Sequence, residues 1–382
     1  MKVILNVDAI TAPLTGIGRY ALELARGLQG HRQVEALRLY SAYRWVDDPG
    51  HALHANRTIA AVRRHVPFKA AALEAYTQLR SALFRLHTRR MQGWLLHTPN
   101  YVLMPFDGPS LTTVHDLSWL QYPEAHPAER VRFLERHLPR TLEQAARVLT
   151  DSEFIAGEIV ARLGVPRAKI RVVPLGVDAN YRPRPRAERQ DVLARHGLAD
   201  AEYLLVVATQ EPRKNLARLA RAYARLPGRL RERHPLVIVG ARGWLNEELE
   251  RTLAPLEAGG TVRRLGYVAE EELPFIYAGA HGFAFPSLYE GFGLPLVEAM
   301  ASGVPALSSR ASSLAEIGAD ADGDVALLVD PRDEEALTAG LARLLEDESW
   351  RSAAIPRGLA RAAGFPWSRC VGETLAAYAE AA

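Results

Sequence analysis

The chain has 382 residues, of which 48% are hydrophobic and 24% are charged, and its formal net charge is +3. These values are ordinary for a globular protein, and the length predicts two domains. No apolar run approaches the roughly 18 residues that indicate a membrane-spanning helix, and one cysteine excludes an intramolecular disulfide. The first apolar run ends at Asp8, which indicates a buried strand rather than a signal peptide, so we expect a cytoplasmic protein.

Short apolar runs alternate with longer helical patterns along the whole chain. In the first half, strands are predicted near 3–7, 94–97, 111–114, 148–150 and 170–173, with helices near 18–28, 127–145 and 152–163. In the second half, strands are predicted near 203–208, 236–239, 262–265, 282–285, 305–307 and 326–329. Continuous apolar strands with helical crossovers indicate parallel sheets covered on both faces. The sequence therefore predicts an α/β fold.

A polar linker separates the two halves. Residues 181–186 contain two prolines and three arginines, a composition typical of a stiff interdomain segment. We expect two doubly wound, Rossmann-like domains, 1–180 and 186–365, with residues 366–382 packing back on the first. Ligands of such sheets bind at the carboxyl ends of the strands, so the active site is expected in the cleft between the domains.

Two cations follow the first strand of the second half. Arg213 and Lys214 come just before Asn215, which suits the N-cap of the next helix. A helix N-terminus flanked by two cations can bind an anionic diphosphate. This segment is therefore predicted to hold phosphate groups.

Residues 285–305 read FPSLYEGFGLPLVEAMASGVP and carry two carboxylates separated by seven residues. Glu290 lies in a glycine-rich loop after a predicted strand, and Glu298 lies in the helix that follows. The glycines of Gly291-Phe292-Gly293 let backbone N–H groups approach a phosphate, and the Glu298 carboxylate can accept hydrogen bonds from a ribose diol. The stretch predicts one wall of a nucleotide-sugar site.

This Glu-x7-Glu spacing, with Glu-Pro-Arg-Lys-Asn upstream, resembles the retaining glycosyltransferases of family 4, which have the GT-B fold. The resemblance implies that Arg213 and Lys214 bind the donor diphosphate, that Glu290 hydrogen-bonds the donor sugar and that Glu298 binds the ribose. It also implies donor contacts from the glycine-rich loop and near the nucleobase. Those positions are Gly291, Phe292, Gly293, Tyr267 and Val268.

The first half offers two further segments of the same kind. Gly16-Ile17-Gly18-Arg19 opens a helix and resembles the family's glycine-rich loop near the donor phosphates, where Arg19 adds a cation. His115 follows a predicted strand and resembles the family histidine that contacts the transferred sugar. Its neighbour Asp116 is expected to orient local structure. The predicted catalytic residues are His115, Glu290, Arg213 and Lys214.

Within the family the chain looks most similar to bacterial mannosyl- and rhamnosyltransferases of O-antigen and polysaccharide synthesis. The resemblance implies transfer of a hexose, with mannose from GDP-mannose as first choice, to a glycan on a polyprenyl diphosphate. It implies no cofactor and no active-site metal. A rhamnosyltransferase using GDP- or dTDP-rhamnose remains open, as does a GT-B-shaped sugar-nucleotide epimerase or a binding-only protein.

Three other patterns in the sequence have more than one interpretation. Residues 58–90 are basic with interleaved apolar residues, which indicates either a solvated helix or a surface for anionic membrane lipids; no nucleic-acid module is visible. Gly16-x-Gly18 also fits a dinucleotide fingerprint, but it lies too far from the first strand for a dehydrogenase. The acidic run 320–324 resembles a metal site, although a polar turn explains it better.

Overall fold

The structure is a computed structural model that describes residues 1–52, 69–243 and 247–382, without the side chains of 69–76. The predicted basic surface 58–90 therefore lies partly outside the described residues. The chain divides into two compact units, one of Met1–Gly176 with Trp367–Ala382 and the other of Val177–Pro366. The second unit thus begins before the predicted linker.

The first unit is built on a seven-stranded sheet in the order β3-β2-β1-β4-β5-β6-β7. All neighbours are parallel except β2 and β3. The strands are β1 Lys2–Asn6, β2 Ala36–Ser41, β3 Arg44–Val46, β4 Trp94–Thr98, β5 Ser110–Thr113, β6 Arg147–Thr150 and β7 Ile170–Val172. The sequence patterns missed β2 and β3, because β2 is only half buried and β3 spans three residues.

The second unit is built on a six-stranded, wholly parallel sheet in the order β10-β9-β8-β11-β12-β15. Its strands are β8 Leu204–Val207, β9 Leu236–Val239, β10 Val262–Gly266, β11 Gly282–Phe285, β12 Ala306–Ser309 and β15 Leu327–Val329. A small antiparallel hairpin, β13 Ala319–Asp320 and β14 Gly323–Asp324, lies before β15. Every residue of β9, β11 and β12 is buried, and β9 and β11 accordingly contain no polar side chain.

Helices cross between the parallel strands of both units. Those with defined bounds are α1 Gly16–Leu28, α2 Lys69–Thr88, α3 Ser118–Gln121, α4 Ala128–Gln144, α5 Glu153–Leu163, α6 Arg186–Arg195, α7 Leu216–Ala224, α8 Gly228–Arg233, α9 Glu247–Ala258, α10 Leu273–Gly279, α11 Leu294–Ala301, α12 Ser312–Ile317, α13 Glu334–Glu346, α14 Glu348–Ala363 and α15 Trp367–Ala381. In the described ranges, none combines the length and apolar character that a membrane crossing requires.

The C-terminal helix α15 belongs to the first unit, where it packs against α1. The buried Tyr378 hydroxyl lies 2.8 Å from Nδ1 of His97, whose Nε2 lies 2.9 Å from Oγ1 of Thr113. Burial, with the nearby His115, lowers the pKa of His97 to about 3. The imidazole is therefore neutral at physiological pH and ties the helix to the sheet.

Each sheet has one point where the strand order reverses direction. In the first sheet this switch point lies between β1 and β4, and in the second it lies between β8 and β11. The loops after two such strands leave the sheet on opposite faces, which opens a crevice at their carboxyl ends. The two switch points are therefore where the topology favours a ligand.

Candidate active site

Four charged side chains form a cluster at the switch point of the second sheet. Glu211, Arg213 and Lys214 follow β8, and Glu290 lies in the loop after β11. The Lys214 ammonium donates to Oε1 of Glu290 at 2.6 Å, and Arg213 donates to Oε2 of the same carboxylate at 3.1 Å. Arg213 also donates to Glu211 at 2.7 Å. The structure thus brings together three of the predicted catalytic residues and adds Glu211.

The cluster is largely buried, and this alters the acidities of its members. Glu290 is 8% exposed. Burial alone raises the pKa of its carboxyl, but the charges of Lys214 and Arg213 outweigh burial, and the net pKa lies below its usual value. Burial, with the neighbouring Arg213, lowers the pKa of the Lys214 ammonium, and Glu290 partly opposes this. Each ion therefore stabilises the charged form of its partner.

Asn215 fixes the backbone that carries the two cations. Its amide donates to the carbonyls of Pro286 and Pro331 at 3.1 and 2.7 Å, and its backbone adopts the left-handed conformation with φ +61°. Asn215 precedes α7, yet its side chain makes no capping bond to that helix. The predicted N-cap position is confirmed, but the amide ties the loops after β8, β11 and β15 together instead of capping the helix.

The glycine-rich loop after β11 is held by two serines. The N–H of Glu290 donates to Oγ of Ser312, and the hydroxyl of Ser313 donates to the carbonyls of Glu290 and Phe292. Gly293 has φ +109°, and a Cβ there would lie 2.5 Å from a methyl carbon of Leu314. A side chain at this position would therefore strain the turn into α11.

The remaining predicted donor-binding positions of the second unit lie on three segments. Phe292 is buried edge-to-face against Phe365 at 5.4 Å, so this segment can offer a ligand its backbone but not the phenyl ring. Glu298 is the fifth residue of α11 and is 7% exposed. Tyr267 and Val268 follow β10 at the sheet edge, where Tyr267 is 60% exposed and Val268 is buried.

In the first unit, the segment Gly16 to Arg19 forms the first turn of α1. Thr15 is the N-cap and accepts from the N–H of Gly18 at 3.1 Å. A Cβ on Gly18 would lie 2.8 Å from the carbonyl oxygen of Ala9, so only glycine fits this approach without a shift. The segment follows β1, one of the two strands at the first switch point, as a phosphate-facing loop should.

His115 lies after β5 and uses both ring nitrogens. Nδ1 lies 2.7 Å from Oδ2 of Asp151, and Nε2 lies 2.9 Å from the carbonyl oxygen of Pro99. A carbonyl only accepts, so Nε2 carries a proton; a proton on Nδ1 as well makes the ring an imidazolium facing the Asp151 carboxylate. Burial lowers the pKa of His115, but Asp151 and the Pro99 carbonyl outweigh it, and the net pKa is raised.

Sequence reasoning missed Asp151. Asp116, the sequence neighbour of His115, accepts hydrogen bonds from the hydroxyl of Tyr101 and from the backbone N–H and the hydroxyl of Ser118. These contacts fit its expected role in local structure. Asp151 directly follows β6, the sheet neighbour of β5. The sequence did offer a signal for this pair, because polar residues that follow two adjacent parallel strands lie side by side at the carboxyl ends of those strands.

The acidic run 320–324 forms the β13–β14 hairpin. Asp320 pairs with Arg357 at 2.7 Å, Asp324 pairs with Arg310, and the N–H of Asp322 donates to Asp320. These contacts favour the interpretation of a polar turn.

Comparisons with known proteins show the family of this chain. Residues 14–181 match the family described as Glycosyltransferase Family 4, and residues 189–361 match the family described as Glycosyl transferases group 1. The chain is 38% identical to an O-antigen chain mannosyltransferase B from Escherichia coli, with 99% of each chain covered. The chain belongs to glycosyltransferase family 4. The prediction of a family 4 glycosyltransferase is confirmed.

Solved glycosyltransferase structures share the fold. A sucrose-phosphate synthase from Thermosynechococcus elongatus matches with a TM-score of 0.75 and 21% identity, covering 100% of this chain and 98% of that chain. Anabaena HepE in complex with UDP and glucose matches with a TM-score of 0.73 and 17% identity, covering 99% of both. The predicted GT-B fold is confirmed. The roles of individual site residues stay predictions.

Proposed function

We propose that this glycosyltransferase transfers a mannosyl residue from GDP-mannose to a lipid-linked glycan, with retention of the anomeric configuration and without a metal ion. The largely buried cluster of Arg213, Lys214 and Glu290 at the switch point between β8 and β11 carries the proposal. The full-length relative named an O-antigen mannosyltransferase supports mannose as the sugar.

The donor diphosphate would bind beside Arg213 and Lys214. As a glycosidic bond to a nucleoside diphosphate breaks, negative charge accumulates on the leaving phosphate, and preorganised cations stabilise that charge. Without a donor, Glu290 and Glu211 balance the charges of the two cations. The carboxylates thus hold the cations in place before the donor arrives, so no reorganisation is needed when charge develops.

The same pairing argues against Glu290 as a covalent nucleophile, because two cations share its charge and weaken its nucleophilicity. We infer front-face attack instead. The acceptor oxygen forms the new bond to the anomeric carbon on the face that the diphosphate leaves, and a departing phosphate oxygen takes the acceptor proton. Glu290 is then left to hydrogen-bond the sugar and to position the cations.

His115 is the proposed contact to the transferred sugar, with Gly16, Gly18 and Arg19 near the donor phosphates. The Nε2–H of His115 donates to the Pro99 carbonyl at 2.9 Å, so it would be redirected to a sugar hydroxyl or shared with it. Because Asp151 favours the charged ring, that donor would be strengthened by the positive charge.

The helix α2 is the proposed contact to the inner face of the plasma membrane. Leu79 and Leu86 are 62% and 52% exposed, and Arg85, Arg89 and Arg90 are also exposed on this helix or at its end. Arg80 does not belong to this surface, because it pairs with Asp8. Apolar side chains flanked by arginines suit anionic lipid headgroups. Loss of sedimentation with anionic vesicles in Leu79→Gln/Leu86→Gln would support this contact, whereas unchanged sedimentation would refute it.

A thermal-shift panel of GDP, UDP, dTDP and ADP tests the donor. A ligand that binds only the folded state raises the melting temperature, so GDP should give the largest rise. A larger shift with dTDP or UDP would overturn GDP-mannose, and no shift with any nucleotide would overturn the sugar-nucleotide function.

Transfer to a synthetic polyprenyl-diphosphate glycan tests the reaction itself. NMR of the product should show the anomeric configuration of the donor, and the rate should persist in excess chelator. An inverted product would overturn retention, and a chelator-sensitive rate restored by a divalent ion would overturn metal independence.

A further inference from the structure

A cavity of about 360 Å³ lies in the second unit at the amino ends of the two central strands. Its walls come from α6, the segments 199–202 before β8 and 279–281 before β11, and α14. The Lys214 cluster follows the carboxyl ends of the same two strands. In a parallel sheet these ends are opposite edges, so the cavity is separate from the predicted donor site. Its volume suits a small metabolite.

Basic groups dominate the chemistry of the walls. Arg186, Arg189, Arg351 and His281 line the cavity together with the carboxylates Asp200 and Glu202. Both carboxylates already have partners, since Asp200 lies 2.7 Å from Arg186, and Glu202 lies 2.9 Å from Arg233 outside the lining. Arg189 donates to the carbonyl of Ala278.

Arg351 stands out among these arginines. Its guanidinium makes no hydrogen bond or ion pair with any residue in 1–52, 69–243 or 247–382, and its Nε is buried. Burial lowers the pKa of Arg351, and the nearby Glu202 and Glu348 only partly offset this. A half-buried guanidinium whose five N–H donors have no acceptor lowers the stability of the folded state, unless a bound group accepts hydrogen bonds from it. An anion in the cavity would supply that acceptor.

A bound cation is the competing interpretation, because Glu202, His234 and His281 place ligand atoms within 4.8 Å of one another. The two imidazole rings lie 4.2 Å apart, and burial with the nearby Arg351 lowers the pKa of His281 to about 3. Neutral histidines can bind metals. However, Arg233 already occupies the Glu202 carboxylate and Arg351 would repel a second cation, so the charges favour an anion.

We propose that this cavity binds a phosphate-bearing small molecule, with the Arg351 guanidinium and Arg189 as its main contacts. Both arginines can reach several phosphate oxygens through planar, charge-assisted hydrogen bonds. Neutral His281 adds a weaker polar contact. The remaining volume would hold the group that carries the phosphate.

The test uses the 382-residue chain, with inorganic phosphate as the probe. Line broadening in ³¹P NMR at constant ionic strength measures phosphate binding. Arg351→Gln should weaken phosphate binding about tenfold or more, as expected for the loss of a charge-assisted contact. Arg229→Gln is the matched control, because it removes the same charge from an arginine that is 81% exposed and does not line the cavity. That variant should bind phosphate within about twofold of the parent chain.

Lys214→Ala separates this site from the donor site and should leave the Arg351-dependent binding in place. The proposal fails if Arg351→Gln binds phosphate like the parent chain, or if Lys214→Ala abolishes all binding. It also fails if Zn²⁺ binds in a manner that requires His281 and strengthens in Arg351→Gln. Unchanged thermal unfolding of Arg351→Gln would show that any loss is local.

Discussion

In both units a basic side chain that follows one strand pairs with a carboxylate that follows the neighbouring strand, but the two pairs differ in whether the sequence marks the partner. In the second unit, Lys214 and Arg213 share the carboxylate of Glu290, and both segments belong to motifs that the sequence makes visible. In the first unit, His115 forms no hydrogen bond with the adjacent Asp116 among the described residues and pairs with Asp151, which lies 36 residues away. The difference teaches that adjacency in the sheet, not adjacency in sequence, selects the partner of a residue at a strand end.

The largest effect is expected from Lys214→Ala. If Lys214 stabilises the leaving diphosphate, its loss should lower kcat by roughly 100- to 1,000-fold, as the loss of a preorganised charge-stabilising donor does elsewhere. Steady-state mannosyl transfer with saturating donor measures this. Lys2→Ala, which removes a half-exposed lysine paired with Glu35, is the control and should keep a normal rate. A near-normal kcat for Lys214→Ala would refute the diphosphate role.

This substitution also tests the cluster as a unit. Without Lys214, Arg213 is the one charged partner of Glu290 that remains in the described part of the chain. The pKa of Glu290 should then rise, because less positive charge opposes the effect of burial. Lys214→Arg retains the charge and should recover part of the rate. Equal rates in the alanine and arginine variants would mean that charge at this position is irrelevant.

A smaller effect is expected from Asp151→Asn, with Asp116→Asn as its matched control. Asp151 is the main cause of the raised pKa of His115, whereas Asp116 contributes least. The pKa of His115 should therefore fall clearly in the first variant and little in the second. NMR titration of ¹³C-labelled imidazoles, with the His115 signal assigned by its absence in His115→Gln, measures both values.

The same shift has a consequence for stability. Because folding raises the pKa of His115, the folded state binds this proton more tightly than the unfolded state. The stabilisation is present below the unfolded value of about 6.5 and is lost as the pH rises through the folded value. The destabilisation caused by Asp151→Asn should thus be larger at pH 6 than at pH 9 in urea unfolding. A pH-independent difference would contradict the charged pair.

The smallest effect is expected from Glu298→Ala. If its carboxylate accepts hydrogen bonds from the ribose diol, GDP affinity should fall about tenfold with a modest change in kcat. Calorimetric titration with GDP measures this directly. Glu298→Gln keeps one acceptor oxygen and should lie between the alanine variant and the parent chain, and an unchanged affinity in both variants would remove Glu298 from the ribose role.

The sequence by itself determined much of the fold and the family. Apolar runs separated by helical patterns identified the central strands, since a strand buried on both faces consists mainly of apolar residues. The spacing of Glu290 and Glu298 and the pair Arg213-Lys214 identified the family, because they lie within short segments. Half-buried and very short strands such as β2 and β3 leave no such pattern, and they were missed.

Only the tertiary structure decided which charges meet. It placed Glu290 between Lys214 and Arg213, and it paired His115 with Asp151. It also showed that the amide of Asn215 connects loops by hydrogen bonds and does not cap the helix. These contacts join loops that follow different strands, and the order of strands in the sheet sets them. Strand order depends on long-range packing, so no local pattern of residues records it.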